Sequence, residues 1–266
     1  MALARSVDLN SDMGESFGPY QMGETASLMP LVTSANIACG FHAGDPRTMR
    51  ATVELARRHG VGVGAHVGYP DLVGFGRRAI EAGDEEISTD VLYQIGALAA
   101  FAQAAGVPLR HVKAHGALYT QAEREWRVAA ALVEGVRRAP QPLTLVASPT
   151  SQMVRAASGC GLPVIREAFC DRAYRADGTL VPRSQPGSVL TDGEQVAERA
   201  VRLAAAGEVV AEDGSVIAVP CDTLCIHGDT PGATRLAAAV RAALAAHGIG
   251  CQAMPSPAGP PPPPGP

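Results

Sequence analysis

The chain has 266 residues, of which 47% are apolar and 18% charged, with a formal net charge of −4. That length suits one large domain, and parallel α/β barrels commonly reach it as single domains. Without clustered Lys and Arg there is no nucleic-acid surface, and with no apolar run of about 18 residues there is no membrane span. The N-terminus shows no secretory leader pattern. The six cysteines form no Cys-x-x-Cys pair, so they read as reduced core thiols of a cytoplasmic protein.

In chain order, the first element is a strand at Ser6–Asn10, followed by a Gly-flanked polar turn. A second strand at Ser34–Cys39 leads to a helix at Pro46–His59, which Asp45-Pro46 starts and Gly60 stops. The strand Gly60–Ala65 precedes a Gly-rich loop, 68–76, long enough to act as a lid. A helix at Ser88–Gly106, a strand at Arg110–Ala114 and a helix at Arg124–Arg138 follow. Strands at Leu143–Ala147 and Pro163–Ala168 bracket a helix at Thr150–Ser158. A helix at Asp192–Ala206, a strand at Thr223–Ile226 and a helix at Thr234–His247 complete the series. Strands alternating with helices imply parallel strands joined by helical crossovers. Nearly every strand ends in polar residues, which favours a barrel, whose site draws on many strand ends, over an open sheet with one switch point. We expect a parallel seven-stranded (β/α) barrel over 1–250 and a Pro-rich tail over 251–266 that cannot pack a core.

Side chains alternate across a strand. Asp8, Asn10 and Asp12 share one parity while Val7 and Leu9 take the other, and Lys113 and His115 lie opposite Val112. Glu167 falls between Ile165 and Phe169, and His227 shares a parity with Asp229. One parity of a barrel strand faces the axis, so these polar groups converge at its carboxyl-end mouth. Of seven histidines, His59 and His247 sit at helix ends, where an imidazolium suits the dipole, and His111 lies at the start of its strand, away from the mouth. His42, His66, His115 and His227 each follow a different strand. Two chemistries suit this set. One is a divalent metal on Asp12, His42, His66 and His115; the other is general acid–base work with carboxylates tuning histidines. Asp8-Leu-Asn-Ser-Asp-Met-Gly14 is not a calcium loop, since Met13 holds the position that requires Gly. Asp8 reads as a buried hydrogen-bonder, while Asp12 and Glu15 look functional. Lys113 either pairs with Glu167 or Asp229 as a structural ion pair or holds a substrate carboxylate or phosphate. Asp171-Arg172 have a similar ambiguity, and Arg77-Arg78 either meet an anion or are solvated.

Six ordered segments, Asp8–Glu15, Ser34–Pro46, Gly64–Asp71, Val112–Tyr119, Glu167–Tyr174 and His227–Ala233, closely resemble the LamB/YcsF family. That family supplies the A component of the bacterial three-component 5-oxoprolinase. The resemblance spans nearly the whole chain except the tail. Val67, Ala114 and Thr120 depart from the family pattern, and all three neighbour polar residues rather than replace them. The resemblance implies a barrel of the glycoside hydrolase/deacetylase kind and ATP-dependent opening of the lactam 5-oxo-L-proline to L-glutamate. It also implies two partner subunits, B and C. Such chemistry needs a base for water, an acid for the leaving nitrogen, and cations for phosphate and carboxylate. The expected assignment is catalysis by Asp12, His42, His66, Lys113, His115 and Glu167. Binding of substrate and phosphate falls to Asn10, Asn36, Asp45, Asp171, Arg172, His227 and Asp229, with Asp45, Glu167 and Asp229 orienting histidines. Two other readings stand beside it: a metal-dependent deacetylase or amidohydrolase that needs no ATP, and a binding module that only presents a small ligand to a partner.

Overall fold

The computed structural model describes residues 6–255. β1 (Ser6–Met13) is followed by α1 (Thr25–Leu28), a 3-10 turn (Met29–Leu31), β2 (Ser34–Ala38), α2 (Pro46–His59), β3 (Gly62–Val67) and α3 (Asp84–Ala104). β4 (Leu109–Ala114), α4 (Gly116–Arg124), α5 (Trp126–Arg137), β5 (Thr144–Ala147), α6 (Gln152–Cys160) and β6 (Val164–Phe169) come next. The chain then forms α7 (Gly193–Ala206), β7 (Glu208–Val210), β8 (Val216–Ala218), β9 (Thr223–Cys225), α8 (Ala233–Ala246) and β10 (Gly250–Cys251). β1, β2, β3, β4, β5, β6 and β9 pair in parallel in that order, and β9 pairs back to β1, closing a seven-stranded barrel. No described helix is long and apolar enough to cross a membrane.

The helices are cut by local chemistry. Asp45 caps α2 by accepting from the amides of Arg47 (2.8 Å) and Thr48 (3.1 Å), and Gly60 ends it in the left-handed conformation. Ser151 and Asp192 cap α6 and α7, which end on left-handed Gly161 and Gly207. α3 begins four residues before the expected Ser88, on the acidic turn Asp84-Glu85-Glu86, which complements the positive end of the helix dipole. α4 has no side-chain cap at all, so no start signal marked it.

The barrel interior is polar in its upper layers, and this sets the fold's energetics. Val7, Leu9, Val112 and Leu224 point outward into one apolar core shared with the helices. There each fully buried Val or Leu contributes roughly 1.5–3 kcal/mol. The opposite parity points inward. Asp8 Oδ1 accepts from Ser34 Oγ (2.6 Å) and Thr33 Oγ1 (2.8 Å), and Oδ2 accepts from Thr223 Oγ1, which is the structural role expected of it. Below lies a separate apolar plug of Val146, Ile165 and Met254. Met254 comes from the segment expected to be tail. β10 pairs with the start of β1, the Gln252 amide donates to Val7 O, and the Met254 amide donates to Asp8. Ordered structure therefore runs past residue 250 to 255. The remaining Pro-rich stretch, 256–266, lies outside the described residues. The β7–β8 hairpin, unforeseen in the sequence reading, sits beside the barrel around Asp213-Gly214.

Candidate active site

The inward side chains at the carboxyl ends of the strands form one buried network. Lys113 is its hub, with Nζ 3.1 Å from Asp12 Oδ1, 2.8 Å from Glu167 Oε1 and 3.1 Å from Cys225 Sγ. All four residues are buried. Burial alone would push the Lys113 ammonium toward its neutral form, but Asp12, Cys225 and Glu167 outweigh it and hold its pKa well above the ordinary value. Burial likewise opposes ionisation of Asp12, yet His66 and Lys113 bring its pKa well below the usual carboxylate range. Asn36 supports Asp12 from below, donating to Asp12 Oδ1 at 2.9 Å and to Asn10 Oδ1 at 2.7 Å. His111 Nε2 in turn donates to Asn36 Oδ1 at 2.8 Å. His111 is thus inside the barrel, one layer beneath the site, and burial lowers its pKa to about 3. Gly64 is what admits it. A Cβ there would stand 2.0 Å from His111 Nε2.

Three histidines stack above this hub. His66 Nδ1 lies 3.1 Å from Lys113 O, and His115 Nε2 lies 2.7 Å from Phe75 O. Carbonyl oxygens only accept, so both nitrogens carry protons. The other nitrogens, His66 Nε2 and His115 Nδ1, face each other at 3.0 Å. When both rings are neutral, two lone pairs oppose one another across that gap, and it calls for a shared proton or a cation. His42 stacks on His115 with centroids 3.8 Å apart. Its Nε2 is 3.5 Å from Glu15 Oε1, and neither its ring nitrogens nor that oxygen has a hydrogen-bond partner. Burial, then the neighbouring imidazoles, pushes the pKa values of His42 and His115 well down. Burial, then Asp12 and Asp229, pushes that of Glu15 well up. Phe75, whose carbonyl fixes His115, is the one non-glycine among the described residues with positive φ, at 54°. A bulky residue held there is strained. The loop around it is tied down rather than free. Asp71 accepts from the Gly74 amide (2.9 Å) and pairs with Arg78, and Gly76 O accepts from the Ala117 amide (2.8 Å).

Across the mouth, Asp171 is fully buried and accepts from His227 Nδ1 (2.8 Å), the His227 amide (3.0 Å) and Thr230 Oγ1 (2.8 Å). This fixes the His227 ring so that Nε2 is the free nitrogen. A cavity of about 400 Å³ opens between these groups, with Asp12, His66, Lys113, His115 and His227 in its wall.

The LamB/YcsF family pattern matches residues 7–259. A protein from Symbiobacterium thermophilum, named as the A subunit of 5-oxoprolinase, is 53% identical over 245 residues, 92% of this chain and 94% of that one. Its namesake in Streptomyces coelicolor is 50% identical, covering 93% of this chain and 99% of its own. The crystal structure of the lactam utilization protein from Thermus thermophilus superposes with a TM-score of 0.89 at 50% identity, covering 94% and 100% of the two chains. The chain belongs to the LamB/YcsF family.

In this LamB/YcsF barrel the sequence-derived site residues separate into three groups. Asp12, His42, His66, Lys113, His115, Glu167 and His227 lie together at one mouth: strand parity pointed to Asp12, Lys113, His115, Glu167 and His227, and position after a strand end to His42 and His66. Asn10, Asn36 and Asp171 are fully buried behind them, with their polar atoms on protein partners, so they position the site rather than touch a ligand. Asp45 is elsewhere in function: it caps α2 and accepts from the Gly18 amide at 2.9 Å. Helix capping, not substrate binding or histidine orientation, accounts for its carboxylate. Glu167 faces Lys113 and Asp229 pairs with Arg77; neither orients a histidine, a task that Asp171 performs for His227. Arg172 reaches the cavity wall, but its Nε and Nη2 donate to Ser188 O (3.1 Å) and Val181 O (2.6 Å). The Arg77-Arg78 pair splits, Arg77 to the mouth and Arg78 to Asp71.

For a metal, Glu15 takes the place expected of Asp12. One ligand atom from each of Glu15, His42, His66 and His115 lies within 4.8 Å of the others. Imidazole and carboxylate donors suit Zn, Mn or Ni, and the unpartnered Glu15 and His42 atoms fit such an ion. The carbonyls of Lys113 and Phe75 would orient two of the ligands from behind. Asp12, Cys225 and His227 form a second close set, but the Lys113 ammonium already supplies the cation there. Glu15 comes three residues after Asp12, beyond the strand, where parity no longer predicts direction. The left-handed turn at Gly14 (φ 68°) carries it back over the mouth.

Proposed function

We propose that this chain is the A component of a three-component, ATP-dependent 5-oxoprolinase of the cytoplasm, working with partner subunits B and C. The reaction opens 5-oxo-L-proline to L-glutamate with release of ADP and phosphate. The names of the relatives point to the lactam. The observation here that carries the reading is the buried Asp12–Lys113–Glu167 hub beneath the facing His66 and His115 nitrogens, a fixed acid–base array at the floor of a small cavity.

A five-membered lactam is a stable amide, and coupling to ATP makes its opening favourable. Phosphorylation of the amide oxygen by ATP makes the ring carbonyl carbon electrophilic. Water adds to that carbon, losing a proton to the facing His66 Nε2–His115 Nδ1 pair. The ring C–N bond then breaks, and the nitrogen takes up a proton from the same pair or from His227. The acyl phosphate left behind reacts with a second water to give the carboxylate and inorganic phosphate. Lys113, held ionised, stabilises negative charge on oxygen as it develops. Asp12 Oδ2 stands 3.4 Å from His66 Nε2, the nitrogen that takes the proton. A metal bound by Glu15, His42, His66 and His115 would take up the lone pairs of the facing His66 and His115 nitrogens, replacing the histidine pair as base, and would supply Lewis-acid polarisation or an acidified water instead. That donor set is the observation that favours a second reading, a metal-dependent amidohydrolase without ATP.

The test is reconstitution. The purified chain is mixed with 5-oxoproline and ATP, with and without subunits B and C, and glutamate and phosphate are measured. We expect equimolar products only from the complete set. Full activity from this chain alone would remove the three-component reading, and no glutamate from the full set would remove the substrate.

A further inference from the structure

The cavity above the hub carries more positive charge than a lactam carboxylate accounts for. Arg77, Arg124, Arg172 and Arg183 all line it, together with Lys113, in a chain whose net charge is −4. They come from different parts of the fold: the loop after β3, the end of α4 and the segment after β6. Lys113 is already matched by Asp12 and Glu167. The rim is not matched in this way. Arg77 pairs with Asp229, and Arg183 reaches that same carboxylate only at 3.9 Å. Arg172 is held by carbonyl oxygens rather than by an acid. Arg124 has no ion pair among the described residues. The other carboxyl group in the wall, Glu123, is driven toward its neutral form by burial. Mutual repulsion is visible at Arg172, whose pKa falls to about 10 through burial and then through its neighbours Arg183 and Arg77. The N-terminus of the nine-residue helix α4 reaches the same space at Gly116, while its Ala117 amide is taken by Gly76 O at 2.8 Å.

Guanidinium forks are groups that recognise phosphoryl oxygens. A carboxylate carries one charge, whereas a phosphoryl group brings roughly 1.5 to 2 more and three acceptor oxygens. The cavity is also small for its task. At about 400 Å³ it lies near the lower end of ligand sites, which run roughly from 300 to 1,000 Å³. The sequence offers neither of the glycine motifs that cradle nucleotide phosphates.

We propose that the rim formed by Arg77, Arg124 and Arg183 is a phosphoryl-binding site. The molecule entering this barrel is then a small carboxylate already phosphorylated on its amide oxygen, with the transfer from ATP made outside this chain. The inference rests on the oxoprolinase reading and assigns this chain the hydrolytic half of the reaction. Water adds to the carbon bearing the phosphorylated oxygen, the C–N bond breaks with protonation of nitrogen to leave an acyl phosphate, and a second water cleaves that to carboxylate and phosphate.

Binding to the purified full-length chain is measured by calorimetry with inorganic phosphate, acetate and ATP as separate probes. Phosphate is expected to bind, acetate about tenfold or more weaker, and ATP no tighter than phosphate. Arg124→Ala with Arg183→Ala should weaken phosphate binding by about tenfold or more while melting as the parent does. Arg58→Ala, on the far surface of α2, should bind as the parent does. The single Arg124→Ala variant, on an exposed side chain, serves if the double variant melts early. No phosphate binding, or binding unchanged in the rim variants, overturns the site. ATP binding about tenfold tighter than phosphate and lost in the same variants overturns the placement of the transfer step. A reconstituted enzyme that makes no glutamate, with phosphate binding intact, instead overturns the oxoprolinase reading.

Discussion

Replacing Lys113 with Met tests whether the hub is held by charge. Methionine fills similar volume but removes the only cation between Asp12 (3.1 Å) and Glu167 (2.8 Å). Both carboxylates are buried and would be left facing one another without compensation. Breaking a buried ion pair by deleting one partner costs about 3–5 kcal/mol, and two carboxylates depend on this one, so the upper part of that range is expected. For a chain of this size each kcal/mol moves Tm by about 2–4 °C, so about 4–5 kcal/mol gives a drop of roughly 8–20 °C by calorimetry at pH 7.5. The sign of its pH dependence follows from Asp12. In the parent its pKa is depressed, so its contribution is present above the unfolded pKa and lost as pH falls through the folded one. Without the Lys113 charge that pKa is less depressed, so the variant gains relative to the parent as pH falls. The stability gap should therefore narrow as pH falls from 7.5 into the carboxylate range, about pH 4 and below, and Lys113→Met with Glu167→Gln should recover part of it. A penalty below about 1 kcal/mol, or a gap unchanged with pH, would refute the electrostatic account of the hub.

The other variants separate positioning from chemistry. Asp45→Ala should cost about 1 kcal/mol through loss of the α2 cap, read by thermal melting, and leave turnover by the reconstituted enzyme within about twofold. Gly64→Ala drives a methyl into the His111 ring, so it should cost about 3 kcal/mol or more, whereas Gly62→Ala, whose new Cβ would meet Ser34 Oγ at 3.3 Å, should cost less. On the metal-dependent reading, in which the His66 and His115 nitrogens ligate rather than take protons, metal content measured after dialysis against zinc should approach one ion per chain and fall at least about tenfold in Glu15→Gln. Parent protein that retains no ion would contradict the donor set.

What the sequence revealed, and what it did not, follows from the reach of local rules. Parity along β1 and β4 placed Asp12 and Lys113 inward because a strand's alternation continues unbroken to its end. The same rule, followed back two residues, would have placed His111 inside the barrel, where it bonds Asn36. Its position at the strand's start hides this, since depth along the axis is set by the stagger between strands, not by one strand's own pattern. Glu15 and Asp229 lie beyond strand ends, where left-handed glycines and loop paths decide direction. Asp45 carried a clear capping signal before Pro46, so its acidity was already explained without a ligand. The β7–β8 hairpin had a signal too, Asp213-Gly214 between short apolar runs, but three-residue strands give almost no alternation to count. Met254 could not be foreseen as a barrel plug, because nothing local ties it to Val146 and Ile165.

The central claim is that the facing His66 and His115 nitrogens over the Lys113 hub perform the proton transfers of lactam opening. Its most direct test is glutamate formation by the reconstituted enzyme carrying His66→Asn, with melting as a control on the fold. Proton-transfer groups contribute about 10²–10⁴-fold, so glutamate formation should fall by about a hundredfold or more at an unchanged Tm. A folded His66→Asn enzyme that opens 5-oxoproline at close to the parent rate would contradict the account.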